Sequence, residues 1–180
     1  MARCHRIVTV VAGISIGFLA ACTTAVNSRD AAEIQNIRQS NIIPKASARV
    51  FVQSFKTYCT DLLATLGGLP SKARNGDYVE IRSSGGFRTF VTDSRKPLVA
   101  FKQTPDVSHC YVAAEARTGQ TAAVERFVAK NFSGNRQIDA GRSADDAWLV
   151  TEAPPTMVYL KRQGSPFDTP RVFLGIIQQH

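Results

Sequence analysis

The sequence predicts an α+β domain with a mostly antiparallel sheet of about six to seven strands and two main helices, in the order helix–four strands–helix–three strands. Two stretches carry apolar residues at helical spacing, and the other regular runs are short, alternate in polarity and end at turn-forming residues. Short runs joined by tight turns favour antiparallel pairing, because parallel strands need long crossover connections. We therefore expect the helices to pack on one face of a curved sheet.

The first predicted helix spans 46–66. Its apolar residues recur every three to four positions, which is typical of a helix with one buried side, and the pattern places Cys59 on that side. Gly67 and Gly68 are expected to end the helix, and Pro70 lies just beyond them.

Four strands are predicted to follow this helix. In the first of them Val79 and Ile81 share a face, and in the fourth Cys110, Val112 and Ala114 face together. Turns rich in Gly, Ser, Asp and Pro separate the first three runs. The four predicted strands cover 77–83, 87–92, 97–103 and 109–116.

A second helix is predicted over 119–132, and Gly134 follows it at a position typical of a helix C-terminus. The chain shows no internal sequence repeat. Three more strands are predicted after this helix, over 147–152, 157–163 and 171–178.

The composition is that of an ordinary globular domain. The chain has 180 residues, which predicts one domain, and it is 44% hydrophobic and 20% charged. Its net charge is +8, and the segment that we expect to be removed contains two of the basic residues, so 20 basic and 14 acidic residues leave +6. A charge of this size favours anionic partners, although the basic residues are scattered along the chain.

The amino-terminal segment has the three parts of a secretory signal peptide. Arg3 and Arg6 form a basic start, the apolar run 7–19 follows, and the small residues Ala20 and Ala21 precede Cys22. The apolar run is shorter than the roughly 20 residues that a membrane-spanning helix needs, so a permanent transmembrane helix is the weaker interpretation.

The residues Leu19, Ala20, Ala21 and Cys22 resemble the lipobox of bacterial lipoproteins. The resemblance covers only the first 22 residues. It implies that the Cys22 sulfur receives a diacylglyceryl group, that a peptidase cleaves before Cys22, and that the new amino terminus is acylated. Several attached chains would make the anchor effectively permanent. The alternative is a plain secretory signal with a coincidental cysteine.

The resemblance also predicts an address and a domain organisation. Thr23 stands where an aspartate would be a retention signal for the inner membrane, so we expect an outer-membrane lipoprotein that faces the periplasm. The polar composition after Cys22 predicts a flexible tether. The expected organisation is a signal peptide over 1–21, a lipidated tether over 22–44 and a single globular domain over 45–180.

Two cysteines, Cys59 and Cys110, remain once Cys4 and the lipidated Cys22 are set aside. A pair of cysteines in an exported domain predicts a disulfide. The alternative is a Cys59 nucleophile assisted by His109. Since His109 and Cys110 are adjacent, they point to opposite faces of a strand, and the pattern favours a strand-edge surface position for His109.

No other constellation points to chemistry. We predict no metal site, no cofactor and no catalytic residue, because the motifs for zinc, calcium and phosphate binding are absent. Acid pairs across the sheet stay open as a weaker alternative, drawn from Glu80, Asp93, Asp106 and Glu115.

Three functions are compatible with these observations. The favoured one is a non-enzymatic, lipid-anchored envelope module that binds or assembles with an envelope partner through its sheet face. The aromatic residues that could form this sheet surface, although we expect most of them to lie in the core, are Tyr78, Phe87, Phe90, Phe101 and Tyr111. The alternatives are a cell-wall hydrolase or transferase, and an anchor that holds an anionic envelope polymer. Export argues against a nucleic-acid partner.

Overall fold

The computed structural model describes residues 44–61, 63–81, 85–92, 95–164 and 169–180, without the side chain of Ala64. The predicted signal peptide, the lipobox with Cys22 and nearly all of the tether lie outside these residues. The described residues contain no helix long and apolar enough to cross a membrane.

A single antiparallel sheet of eight strands forms the centre of the domain, in the order β1-β2-β3-β4-β8-β7-β6-β5. The first four strands and the last four strands each form a meander, and β4 pairs with β8 in the middle. The strands are Val79–Ile81, Arg88–Val91, Leu98–Gln103, Val107–Glu115, Arg136–Ile138, Asp146–Glu152, Pro155–Gln163 and Arg171–Gln179, numbered β1 to β8 in that order.

Three α-helices accompany the sheet in the described part of the chain. A π-helical segment, Lys56–Thr60, directly follows the first helix, and two short 3-10 segments occur at Leu63–Gly68 and Gly141–Ser143. The α-helices are α1 (Ala48–Phe55), α2 (Leu69–Asn75) and α3 (Gln120–Asn131). The predicted α+β class is confirmed.

The prediction of one helix over 46–66 is wrong, because this region consists of several shorter helical segments. After α1 the turn widens, and the Asp61 amide donates to the Lys56 carbonyl at 2.9 Å, which is the i→i+5 bond of a π-helix. The wide turn lets Tyr58 and Cys59, which are adjacent, both point inward. Gly67 and Gly68 do not end the region either, since α2 follows with Pro70 in its first turn, where the missing amide costs nothing.

The seven predicted strands occur within two residues of their expected bounds, and the second helix runs to within one residue of its expected ends. The structure adds one strand that the sequence did not indicate, β5, which pairs with β6 at the edge of the sheet. The order is therefore helices–four strands–helix–four strands. Each half consists of helical structure followed by a meander, a repeat of topology without a repeat of sequence.

One face of the sheet and the helices enclose the core. From the sheet come residues such as Val112, Leu174 and Val158, and from the helices Phe51, Phe55 and Phe127, all buried. The Cys59–Cys110 disulfide, with Cα atoms 5.4 Å apart, links the π-helical segment to β4 inside this core. The disulfide prediction is confirmed. Closing a loop of this length stabilises the fold by about 4 kcal/mol in the chain-entropy model.

Candidate binding face

The candidate site is the sheet face opposite Cys110, called the open face from here on, which carries partly exposed polar and aromatic side chains. All the residues of the main hydrophobic core cluster that lie on strands β2 to β8 belong to the other face. Among the described residues no helix contributes to a core on the open face, since the buried helical residues of the main core cluster pack against the other face.

A row of alternating large and small residues crosses the middle of the open face. Cross-strand pairing places Ala100, Tyr111, Gly175, Tyr159 and Ala147 side by side on neighbouring strands. The Tyr159 ring occupies the space above Gly175, where a Cβ atom at position 175 would collide with it. The small residues therefore make room for the tyrosine rings to lie along the sheet.

Five rings form a continuous aromatic cluster on this face. The ring centroids of Phe87 and His109 are 5.0 Å apart, those of Phe87 and Tyr111 are 5.3 Å apart, and those of Tyr111 and Phe173 are 5.8 Å apart. His109 and Tyr159 complete the cluster at 5.7 Å. The contacts are mainly edge-to-face, a favoured geometry for aromatic pairs. All five side chains are half-buried, so each ring still presents surface to solvent.

His109 is the polar centre of the aromatic cluster. Its Nε2 atom and the Tyr159 hydroxyl are 2.8 Å apart, a hydrogen bond whose donor depends on the imidazole tautomer. Burial, together with the positive charge of Lys102, lowers the pKa of His109 to about 4. The imidazole is therefore neutral at ordinary pH and has one acceptor and one donor nitrogen.

The two tyrosines of the aromatic cluster stay protonated for the same reason. Burial raises the pKa of Tyr111, and burial followed by the proximity of Tyr111 raises that of Tyr159. Both hydroxyls therefore keep a proton to donate. The cluster offers ring surfaces with uncharged hydroxyl and imidazole groups between them.

Basic side chains flank the aromatic cluster. The row next to the tyrosines begins with Lys102 on β3, continues through His109 and three aliphatic side chains, and ends with Arg136 on β5. Lys161 lies on the other side of the tyrosine row, beside Phe173. In the described part of the chain, none of these three cations is in an ion pair.

The acidic residues on strands of the open face lie at its margins. Glu115 is at the end of β4, opposite Arg171 and 3.8 Å from the Arg117 guanidinium. Glu152 is at the β6–β7 turn, opposite Pro155. Between these margins the charged side chains on the strands of the open face are all basic, and they surround an uncharged aromatic centre.

The structure separates the residues of the thiol-enzyme hypothesis. The Cys59 sulfur is bonded to that of Cys110, so it is not a free nucleophile. His109 lies on the opposite face of β4 and hydrogen-bonds Tyr159 instead.

The acids proposed as pairs are not brought together either. Glu80 forms a bidentate ion pair with Arg88, at 2.6 and 2.7 Å. Asp106 and Glu115 flank opposite ends of β4, and Asp93 lies outside the described residues.

The aromatic residues named from the sequence divide between the two faces. Tyr78, Phe90 and Phe101 are buried in the core, as most were expected to be, whereas Phe87 and Tyr111 lie on the open face. Sequence reasoning missed Tyr159 and Phe173.

The expected strand-edge surface position of His109 is wrong, because β4 is a central strand and its ring is half-buried among aromatic neighbours. The alternation of β7 and β8 could have shown that Tyr159 and Phe173 face away from the core. The pairing of β8 with β4, which brings them to His109, is not visible in a local pattern.

A second serine–histidine contact lies at the end of the chain. The Ser108 hydroxyl and Nε2 of His180 are 2.7 Å apart, and the His180 amide donates to the Asp106 carbonyl. Ser108 is completely buried, so a substrate cannot reach its hydroxyl. The contact holds the end of β8 against β4.

A groove of about 600 Å³ lies on the helical side, between α1 and the β2–β3 connection. Arg49, Gln53, Thr57 and Lys96 line it, but the Lys96 ammonium already donates to the Gly76 carbonyl at 3.0 Å. On the open face the Lys161 ammonium is also engaged, because it donates to the Arg142 carbonyl at 3.5 Å. The two surfaces therefore differ mainly in the aromatic cluster, which the groove lacks.

The described residues contain no group of three or more His, Cys, Asp or Glu side chains that could hold a metal ion. Comparison with known proteins finds no matching family model, no matching curated protein and no matching solved structure. The chemistry of the open face is therefore the basis for any functional assignment.

Proposed function

We propose that this protein is a non-enzymatic binding module of the bacterial cell envelope, anchored by lipid on Cys22, with the open face as its binding surface. The observation that carries the proposal is the aromatic cluster, five half-buried rings on a sheet face that no helix covers in the described residues. The anchor is inferred from the lipobox, and the periplasmic address from Thr23.

The geometry supports binding rather than structural packing. Rings that fill a core are enclosed on all sides. The five rings of the aromatic cluster are each half-buried, so part of every ring stays exposed. Aromatic side chains provide much of the energy of many recognition surfaces, because they bury large areas and lose little conformational freedom. The hydrogen bond between His109 and Tyr159 holds two of the rings in place before a partner arrives.

Strand addition at a sheet edge is a less suitable mode of recognition. Within the described residues the two edge strands, β1 and β5, have three residues each, so they offer few backbone groups to an added strand. The broad face of the central strands offers a larger surface.

Site-specific photocrosslinking in living cells tests this proposal. A benzoylphenylalanine is introduced into the full-length chain at Phe173 or Met157 on the open face, and at Val50 or Arg126 on the helical side as matched controls. We expect envelope adducts at Phe173 and Met157, at a yield at least fivefold above that at Val50 and Arg126.

Adducts confined to the helical side, or equal yields on both sides, would show that the open face is not the binding surface. Absence of adducts at all four positions would also contradict the proposal.

A further inference from the structure

We propose that the ligand of the open face is an anionic glycan, an extended chain of sugar rings that carry carboxylate or phosphate groups, lying across the strands. This inference rests on the proposed function and adds the chemical class of the ligand. The evidence is the arrangement of rings, hydroxyl groups and cations on the face.

The cations are spaced for a ligand of several units. Lys102 and Arg136 are at opposite ends of one cross-strand row, five strand spacings apart. At about 4.8 Å for each spacing, they are separated by about 24 Å across the sheet. Lys161 is on a strand between those of Lys102 and Arg136, but on the other side of the tyrosine row. A small anion would meet one of these cations, whereas an extended anionic chain can meet all three.

The surface between the cations suits sugar rings. A sugar has an apolar face of C–H bonds and a rim of hydroxyl groups, so it needs ring surfaces and hydrogen-bonding groups close together. Tyr111 supplies a ring and a protonated hydroxyl. His109 and Tyr159 supply two rings, and because their mutual hydrogen bond uses Nε2, the groups left for a sugar are Nδ1 of His109 and the remaining capacity of the Tyr159 hydroxyl.

The rigidity of the aromatic cluster lowers the entropic cost of binding. Tyr159 lies over Gly175 and is hydrogen-bonded to His109, so its ring is already ordered. Immobilising a free side chain at an interface costs about 0.5–1.5 kcal/mol, so preordered rings keep more of the stacking energy.

A lipid surface fits the open face less well. Insertion into a bilayer needs protruding apolar side chains, as in interfacial helices. The only large hydrophobic residue that is exposed in the described part of the chain is Val50, and it lies on α1, on the helical side. The aromatic residues of the open face pack against one another instead.

An acidic polypeptide would satisfy the cations but not the aromatic cluster. Its charges would pair with Lys102, Lys161 and Arg136, and binding would then depend on salt much more than on the rings. The dependence on Tyr111 therefore distinguishes the two ligand classes.

Calorimetric titration of the purified full-length chain in neutral detergent tests the inference. The probes are a hexameric oligo-uronate, a neutral glucose hexamer, hexaglutamate and glycerophosphoglycerol, the soluble headgroup of phosphatidylglycerol. We expect the oligo-uronate to bind at least tenfold more tightly than each of the other three. Tyr111→Ala should weaken its binding about tenfold, and the pair Lys102→Gln and Arg136→Gln should weaken it to a similar extent.

The control variant is Arg126→Gln, which removes a cation from the helical side and should leave the affinity unchanged. Circular dichroism of each variant establishes that a loss of affinity is not a loss of folding. Tyr111→Phe provides a second variant that keeps the ring and removes only the hydroxyl, and it should retain more affinity than Tyr111→Ala.

Equal binding of hexaglutamate and oligo-uronate, with no effect of Tyr111→Ala, would overturn the glycan inference in favour of an acidic polypeptide. Preferential binding of glycerophosphoglycerol would overturn it in favour of a lipid headgroup. Photocrosslinks on the open face without binding of the oligo-uronate would reject the ligand class while leaving the proposed function intact. Crosslinks confined to the helical side would reject both.

Discussion

Replacing Gly175 with alanine tests how the aromatic cluster is held in place. The new methyl group would occupy the position of the Tyr159 ring, so the ring must move and its hydrogen bond to His109 is lost. Overpacking costs about 1–3 kcal/mol, and the hydrogen bond contributes about 1 kcal/mol. Alanine is favoured over glycine in a strand by about 0.5–1 kcal/mol, which offsets part of the cost. We expect a net loss of about 2 kcal/mol in the free energy of unfolding.

Urea denaturation of the full-length chain measures this loss. The single tryptophan, Trp148, is buried on the core face and reports unfolding by its fluorescence. Gly67→Ala is the control, because no heavy atom lies within 4 Å of the added carbon, and its effect should stay below about 0.5 kcal/mol.

A double-mutant cycle with Tyr159→Ala isolates the mechanism. In the background without the tyrosine ring, Gly175→Ala should cost close to nothing, since its collision partner is absent. Wild-type stability of Gly175→Ala, or an equal cost in both backgrounds, would refute the reasoning.

Three further predictions follow from the disulfide, the buried imidazole and the lipobox. Replacing Cys59 and Cys110 together with alanine should lower the free energy of unfolding by about 4 kcal/mol, measured by urea denaturation, and a loss below about 1 kcal/mol would contradict the assigned role. The pKa of His109 is lowered from 6.5 to about 4. The unfolded chain therefore binds a proton that the folded chain does not, and stability falls as pH drops from 7 to 4. After a discount for partial exposure we expect this to amount to about 2 kcal/mol. His109→Gln should reduce the difference in stability between pH 7 and pH 4 by that amount, and an unchanged difference would mean that His109 titrates normally. Cys22→Ser should abolish acylation of the chain by labelled palmitate, and continued labelling would rule out Cys22 as the lipid attachment site.

Much of the fold could be predicted because the signals are local. The strands from Leu98 to Glu115 and from Pro155 to Gln179 alternate cleanly in polarity, and α3 has a regular apolar spacing. The disulfide could be predicted because the expected export and lipidation of the chain would leave two cysteines, both on surfaces expected to be buried. These inferences use only the spacing of apolar residues, the composition of the chain and its expected export.

The errors in the fold have two physical sources. The apolar spacing after Phe55 continues to look helical, but the π-helical turn at Lys56–Thr60 changes the number of residues per turn, which spacing alone does not reveal. Arg136–Ile138 has only three residues and one apolar side chain, and it becomes a strand because β6 lies beside it.

The open face was only half predictable for a different reason. Alternation shows that Phe87 and Tyr111 can share a sheet face with His109. Their association with Tyr159 and Phe173 depends on the pairing of β4 with β8, in which residues such as Tyr111 and Gly175 pair although they are 64 positions apart in the sequence. Burial of His109 likewise results from its neighbours in space. The strand sequence shows only that His109 points away from Cys110.

Oxidative footprinting tests the central claim, that the open face is the binding surface, most directly. Hydroxyl radicals are applied to the full-length chain in intact cells and to the purified chain in detergent, and modification is read by mass spectrometry at Met157, Tyr111 and Phe173. Phe132, a half-buried ring beside α3, is the control on the helical side. We predict that the open-face residues are protected at least threefold in cells while Phe132 is unchanged. Equal reactivity of the open-face residues in both preparations, or protection limited to Phe132, would contradict the account.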